Sequence, residues 1–175
     1  MKTILGWQWK KQNGFIFSFS LSLLLLIPFP GVFCTLQVIH TQSGQVLLTL
    51  PFFLQQRFYL SYTHSIYQTP VVEEFEAKHS TIQLREISTR SWGVVEYYGI
   101  QGTLKRDRGE IRIGTIDFKL PKLSLMVGYM AEHQLTLGDQ SYALYKMVEP
   151  GGILSIEVHS LSIAHYLWSF RSFLL

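Results

Sequence analysis

Residues 35–160 predict an all-β fold: an antiparallel sandwich or partly open barrel of short strands, preceded by an N-terminal hydrophobic helix that is a signal or an anchor. Three observations carry this prediction. Apolar residues recur with period two in many short runs, turn residues separate those runs, and no convincing helical periodicity occurs before the C-terminal tail. A length of 175 residues suits one globular domain.

The N-terminal element rests on charge and hydropathy. Lys2, Lys10 and Lys11 precede an uncharged run over 14–33 whose densest part is 23–27. This is the layout of a secretory signal or a single membrane anchor. Val32 and Cys34 ahead of Thr35 make a mediocre cleavage site, whereas the run just supplies the roughly 20 apolar residues of a span, so an uncleaved anchor is favoured. Cys34 invites lipidation, but bulky Phe33 stands where such sites want a small residue. The chain thus divides into a signal or anchor over 1–34, a β domain over 35–160 and an apolar tail over 161–175. Lysines ahead of the run keep the N-terminus in the cytoplasm and export the remainder. The expected location is the cytoplasmic membrane, with the β domain on its outer side, or secretion if the segment is cleaved.

Strands follow in order. Residues 36–40 and 46–50 flank Thr41-Gln42-Ser43-Gly44, a hairpin signal. A second hairpin spans 57–78, with Phe58, Leu60, Tyr62 and His64 on one face of its first strand and Pro70 opening the second. If His64 pairs with Val71, Tyr62 lies opposite Glu73 and Leu60 opposite Phe75, and one face carries Phe58, Leu60, Tyr62, His64, Val71, Glu73, Phe75 and Ala77. A one-residue slip would bury Glu74 and Glu76 instead. Residues 82–89 alternate again, 92–98 carry aromatics around Gly93, and 99–109 read as an irregular loop. Residues 111–120, 123–127, 134–137, 142–147 and 153–159 complete the set, separated by turn residues such as Pro121, Gly128, Gly138-Asp139 and Pro150-Gly151-Gly152. The tail over 161–175 is a short helix packed on the sheets or a membrane-surface contact, and core packing is the commoner use of its aromatics.

Composition excludes several functions. Beyond residue 34 the chain holds 12 basic and 12 acidic residues, so the formal +3 belongs to Lys2, Lys10 and Lys11, and the pI near 9.0 does not mark a nucleic-acid binder. The cluster over 105–110 is broken by acids and a glycine and reads as a solvated turn. One cysteine forbids an internal disulfide. No phosphate-binding glycine loop, HExxH, GxSxG or CxxC is present, and His40, His79, His133, His159 and His165 show no metal spacing. No metal, cofactor or catalytic set is therefore assigned. Ser65 beside His64 is not a nucleophilic dyad, because neighbouring strand residues point to opposite faces.

Two readings compete for His64 and Glu73, which the hairpin makes diagonal neighbours. One is a buried polar pair that satisfies itself and fixes register. The other is a ligand or partner site beside a loop mouth, with Tyr62, His64, Ser65 and Glu73 as its binding residues.

The stretch Phe58-x-Leu60-x-Tyr62-Thr63-His64-Ser65, followed by Thr69-Pro70-Val71-Val72-Glu73, resembles the domain of unknown function 1850. The similarity continues through Ser91-Trp92-Gly93, Leu135-Thr136-Leu137-Gly138 and Pro150-Gly151. Where that family tends to have Gly-x-Gly and then proline after the equivalent of Ser91, this chain has Val95 and Tyr97. The resemblance implies a small exported prokaryotic protein often encoded beside tripartite (TRAP-type) transporters with TAXI-type solute receptors, with no established activity. The expected function is accordingly a non-enzymatic, membrane-tethered accessory or binding module, its partners the membrane through 14–33 and a TRAP-TAXI type permease or solute receptor. The alternatives are a small extracytoplasmic hydrolase or lyase using His64 and Glu73, and a purely structural envelope protein.

Overall fold

The computed structural model describes residues 33–160 except 54, 79, 100 and 129. The expected anchor before Phe33 and the expected tail beyond Ser160 lie outside the described residues. Eleven described strands form two antiparallel sheets. The strands are β1 (Phe33–His40), β2 (Gln45–Phe53), β3 (Arg57–Thr63), β4 (Pro70–Lys78), β5 (Thr81–Thr89), β6 (Thr103–Asp107), β7 (Glu110–Leu120), β8 (Leu123–Met126), β9 (Gln134–Leu137), β10 (Gln140–Ala143) and β11 (Ile153–Ser160). One sheet has the order β2-β1-β11-β8 and the other β10-β9-β3-β4-β5-β7-β6, so both are open. The all-β prediction holds.

A single core joins the sheets, because the period-two apolar faces are turned toward each other. Leu36 and Val38 of β1 and Leu154, Ile156 and Val158 of β11 are buried with Leu60, Val71, Phe75 and Ala77 of the other sheet. Phe58 stacks on Phe75 at 5.3 Å between ring centroids, and Phe52 meets Phe58 edge-on at 6.0 Å across the two sheets. Burying three such rings supplies a large share of the apolar driving force. Cys34 is also buried, paired with Phe52 on one side and Ser160 on the other.

Four sequence expectations need correction. The 57–78 hairpin pairs Phe58 with Phe75, Leu60 with Glu73 and Tyr62 with Val71, two residues away from the expected register. The predicted face survives, since a two-residue shift returns every side chain to the same side and burial cannot distinguish the two registers. His64 then falls just beyond the ladder, where its N–H donates to Thr69 O at 2.9 Å and its carbonyl accepts Gln68 N–H at 2.9 Å. Second, residues 92–98 form a short helix, α1 (Trp92–Tyr98), capped by Gly99 in the left-handed region at φ 57°. Val94, fully buried, and Tyr98, packed on the core, are four residues apart and so share the inward face of α1. Third, the loop expected over 99–109 contains β6, all of whose residues are exposed, joined to β7 through Arg108 and Gly109, both at positive φ. Further on, the run expected over 142–147 splits into the end of β10 and a 3-10 turn over Leu144–Lys146.

Candidate functional site

Burial of β4 carries an ionisable group inward. Val71, Glu73, Phe75 and Ala77 alternate on its inner face, and Glu73 is 7 % exposed. A buried carboxyl needs hydrogen bonds, and two phenols provide them. Tyr62 of β3, diagonal to Glu73 across the ladder, donates to Glu73 Oε1 at 3.1 Å. Tyr98 at the end of α1 donates to the same oxygen, and the two hydroxyls also touch each other. Toward an ionised Glu73 both phenols spend their protons, which leaves the contact between the hydroxyls without one. When Glu73 is protonated, one phenol accepts the acid proton and turns its own toward the other hydroxyl, so all three contacts are filled.

Electrostatics agree with that proton count. Burial pushes the Glu73 carboxyl above the usual carboxylate range against the opposing effect of the Tyr98 and Tyr62 hydrogen bonds. Burial and the neighbouring Glu73 push both phenols further up, so they remain protonated donors.

His64 is held by different means. Its Nδ1 accepts the backbone N–H groups of Ile66 at 3.3 Å and Tyr67 at 3.4 Å, which assigns the ring proton to Nε2. The ring packs against Tyr67 at 5.2 Å and edge-on against Tyr97 at 5.1 Å. The Tyr67 ring in turn lies over Gly93, where an added Cβ would come within 2.8 Å of its Cδ1. The loop after β3 and the start of α1 therefore interlock at a position that tolerates only glycine without a shift.

These groups open onto one cavity of about 660 Å³ at one end of the two sheets. Tyr62, Thr63, His64, Ser65 and Ile66 line it from β3 and its loop, Glu73 from β4, Tyr97 and Tyr98 from α1, and Leu123 to Gly128 from β8 and the turn after it. His133, which precedes β9, contributes a ring tilted 31° to that of Tyr62 at 5.1 Å and a buried Nδ1 with no hydrogen-bond partner among the described residues. Burial holds its imidazole below the ordinary histidine range. At the mouth, Ile66, Tyr97, Met126 and Met130 are each 65–72 % exposed, an apolar rim around a polar floor.

Tyr62, His64, Ser65 and Glu73, expected as a group from sequence, do line one cavity. The expected pairing of His64 with Glu73 does not form, since the Glu73 hydrogen bonds come from Tyr62 and Tyr98. Sequence reasoning missed Tyr98, Tyr97 and His133. Ser91 and Gly99, bracketing seven residues with Val94 and Tyr98 in helical spacing, were the signal for α1 and hence for its tyrosines. His133 carried no local signal.

Among the described residues no group of three or more His, Cys, Asp or Glu could hold a metal ion, and no helix is long and apolar enough to cross a membrane. The model of the family described as Domain of unknown function (DUF1850) matches residues 58–144, a segment that includes Tyr62, His64, Glu73, Tyr97, Tyr98 and His133. No curated protein and no solved structure matches the chain.

Proposed function

The chain belongs to the family of the domain of unknown function 1850, and from that premise we propose that it is an exported, membrane-tethered binding module acting with a TRAP-TAXI type transporter on the outer side of the cytoplasmic membrane. The observation that carries this reading is the cavity floor. A buried carboxyl uses one oxygen for two phenols while its other oxygen, Oε2, has no partner among the described residues, and the opening above it is ringed with exposed apolar side chains. A purely architectural polar cluster would be closed and mutually satisfied.

The pairing of β1 with β11 supports a tether. Cys34 pairs with Ser160, so the apolar segments on either side of the domain join it at one end of the four-stranded sheet. The cavity reaches β8 and Gly151, near the Ile153 end of β11, roughly 23 Å away along an eight-residue strand. A module held at the Phe33 and Ser160 end would present its cavity away from the anchor. The hydrolase or lyase alternative needs Glu73 to orient His64, and His64 Nδ1 is already taken by two backbone N–H groups. The module is accordingly read as non-enzymatic.

Site-specific photo-crosslinkers at Met130 and Tyr97 on the rim, and at Leu104 on β6 as a control, test the reading in native membranes. The rim positions should capture the transporter permease or solute receptor and the Leu104 position should not. Equal capture from all three positions, or from Leu104 alone, refutes it. A reporter active only after export, fused to the C-terminus, should be active; a silent reporter on a well-expressed fusion would remove the topology.

A further inference from the structure

The chemistry of the cavity is one-sided. Among the described residues its lining holds one carboxyl, three phenol rings and two imidazoles, and no lysine or arginine. The outward-facing carboxylates of the same strand are answered by cations, Glu74 by Arg57 at 2.7 Å and Glu76 by Arg85 at 3.1 Å. Glu73, more deeply buried than either, forms no ion pair among the described residues. Ionising it in that setting is costly unless a positive charge arrives from outside the domain.

The geometry points to a binding site for an alkylammonium group, with the Glu73 carboxylate as its counter-charge and the rings of Tyr62, Tyr97 and Tyr98 around its carbons. This deepens the reading of the cavity as a binding site and rests on it. The free Oε2 is the acceptor such a cation needs. Tyr97 and Tyr98 stand perpendicular, 6.2 Å between centroids, and form two walls of a box whose ring faces attract positive charge. Leu123, Leu125 and Met126 cover the alkyl part. An anionic ligand finds no lysine or arginine among the described lining residues and would meet Glu73 directly. A metal ion finds one carboxyl among them where hard cations want several oxygen ligands.

Binding is coupled to a proton. Burial favours the protonated acid in the empty site, and the incoming ammonium displaces that proton, so affinity rises with pH until Glu73 is ionised without help. The other groups facing the cavity are Tyr62 and Tyr98, which burial and Glu73 hold protonated, Tyr97 beside them, His133, whose imidazole burial holds below the ordinary histidine range, and His64, whose Nδ1 accepts the Ile66 and Tyr67 N–H groups.

The same head group could belong to a free amine solute or to a lysine side chain of a partner protein. Calorimetric titration of the full chain in detergent micelles separates these. The probes are choline, its uncharged carbon isostere dimethylbutanol, n-butylammonium and Nα-acetyl-lysine methylamide, each at mildly acidic and mildly alkaline pH. The ammonium compounds should bind, more tightly at alkaline pH, with dimethylbutanol weaker by roughly tenfold or more. Glu73→Gln should weaken them by about tenfold or more, and Tyr97→Ala, which alters a largely exposed ring, by about threefold to tenfold. If Glu73→Gln does not fold, Tyr97→Ala decides. Lysine amide binding at least about tenfold tighter than n-butylammonium assigns the site to a protein lysine, and comparable or weaker binding assigns it to a free amine. Equal binding of dimethylbutanol, indifference of both variants, or no ammonium binding at millimolar concentration overturns the inference. Loss of transporter-linked uptake in Glu73→Gln without any ammonium binding would overturn it too, while leaving the cavity as a functional site.

Discussion

Glu73 is the residue on which the interpretation turns, because burial lifts its carboxyl above the ordinary range more strongly than the Tyr98 and Tyr62 hydrogen bonds lower it. An acid that holds its proton more tightly when folded stabilises the fold below the ordinary carboxylate range near about 4.3, and that contribution is lost as pH rises through the raised native value. His133 has the opposite sign. Its neutral form is favoured by the fold, so stability is lost as pH falls below the ordinary histidine value of about 6.5. Melting temperature against pH should therefore gain in Glu73→Gln relative to wild type as pH rises, and His133→Gln should flatten the acid limb. A Glu73→Gln difference that is constant with pH would show that Glu73 does not titrate in this range. At this scale the residues expected together, Tyr62, His64, Ser65 and Glu73, line one cavity, but the hydrogen-bond partner expected for Glu73 is not the one it has. Glu73 on an apolar face signalled itself, whereas Tyr98 arrives from an element 25 positions away whose approach no local pattern encodes.

At the scale of elements, period two located most strands, since each has one buried face. β6 escaped because none of its residues is buried, leaving no alternation to read. Its charged residues suit an unprotected sheet edge. The hairpin register escaped for a different reason: period two is blind to a two-residue shift, and the loop settled it through His64, Gln68 and Thr69 hydrogen bonds. α1 is too short to show a helical repeat, and its place is fixed by packing of Val94 and by Gly93 beneath Tyr67. Replacing Gly93 with Val should force the Tyr67 ring aside, at a cost of about 1–3 kcal/mol. Tyr67 lies against His64, so the His64 ring signals in an NMR spectrum should move while residues of β1 and β11 keep theirs. Unchanged His64 signals would break the proposed link between α1 and the cavity.

For the whole molecule, one core spans both sheets, which makes them a single cooperative unit. Phe58 touches Phe75 in its own sheet and Phe52 in the other, and is fully buried. Phe58→Ala should cost about 3–5 kcal/mol and lower the unfolding transition of both sheets together in denaturant. Two separated transitions would contradict the shared core. The all-β class was legible because it depends only on strand spacing and turns, but the order of strands within the sheets depends on long-range pairing such as β1 with β11, which leaves no trace in local composition. That pairing also sets Cys34 beside Ser160 at the end of the domain away from the cavity, the arrangement from which a tethered module is read. The decisive measurement is transporter-linked uptake in cells carrying Glu73→Gln, with melting temperature and membrane abundance determined on the same variant. A functional site predicts uptake abolished while stability at neutral pH and abundance stay near wild type. Normal uptake with a large fall in stability would contradict it and leave Glu73, Tyr62 and Tyr98 as architecture.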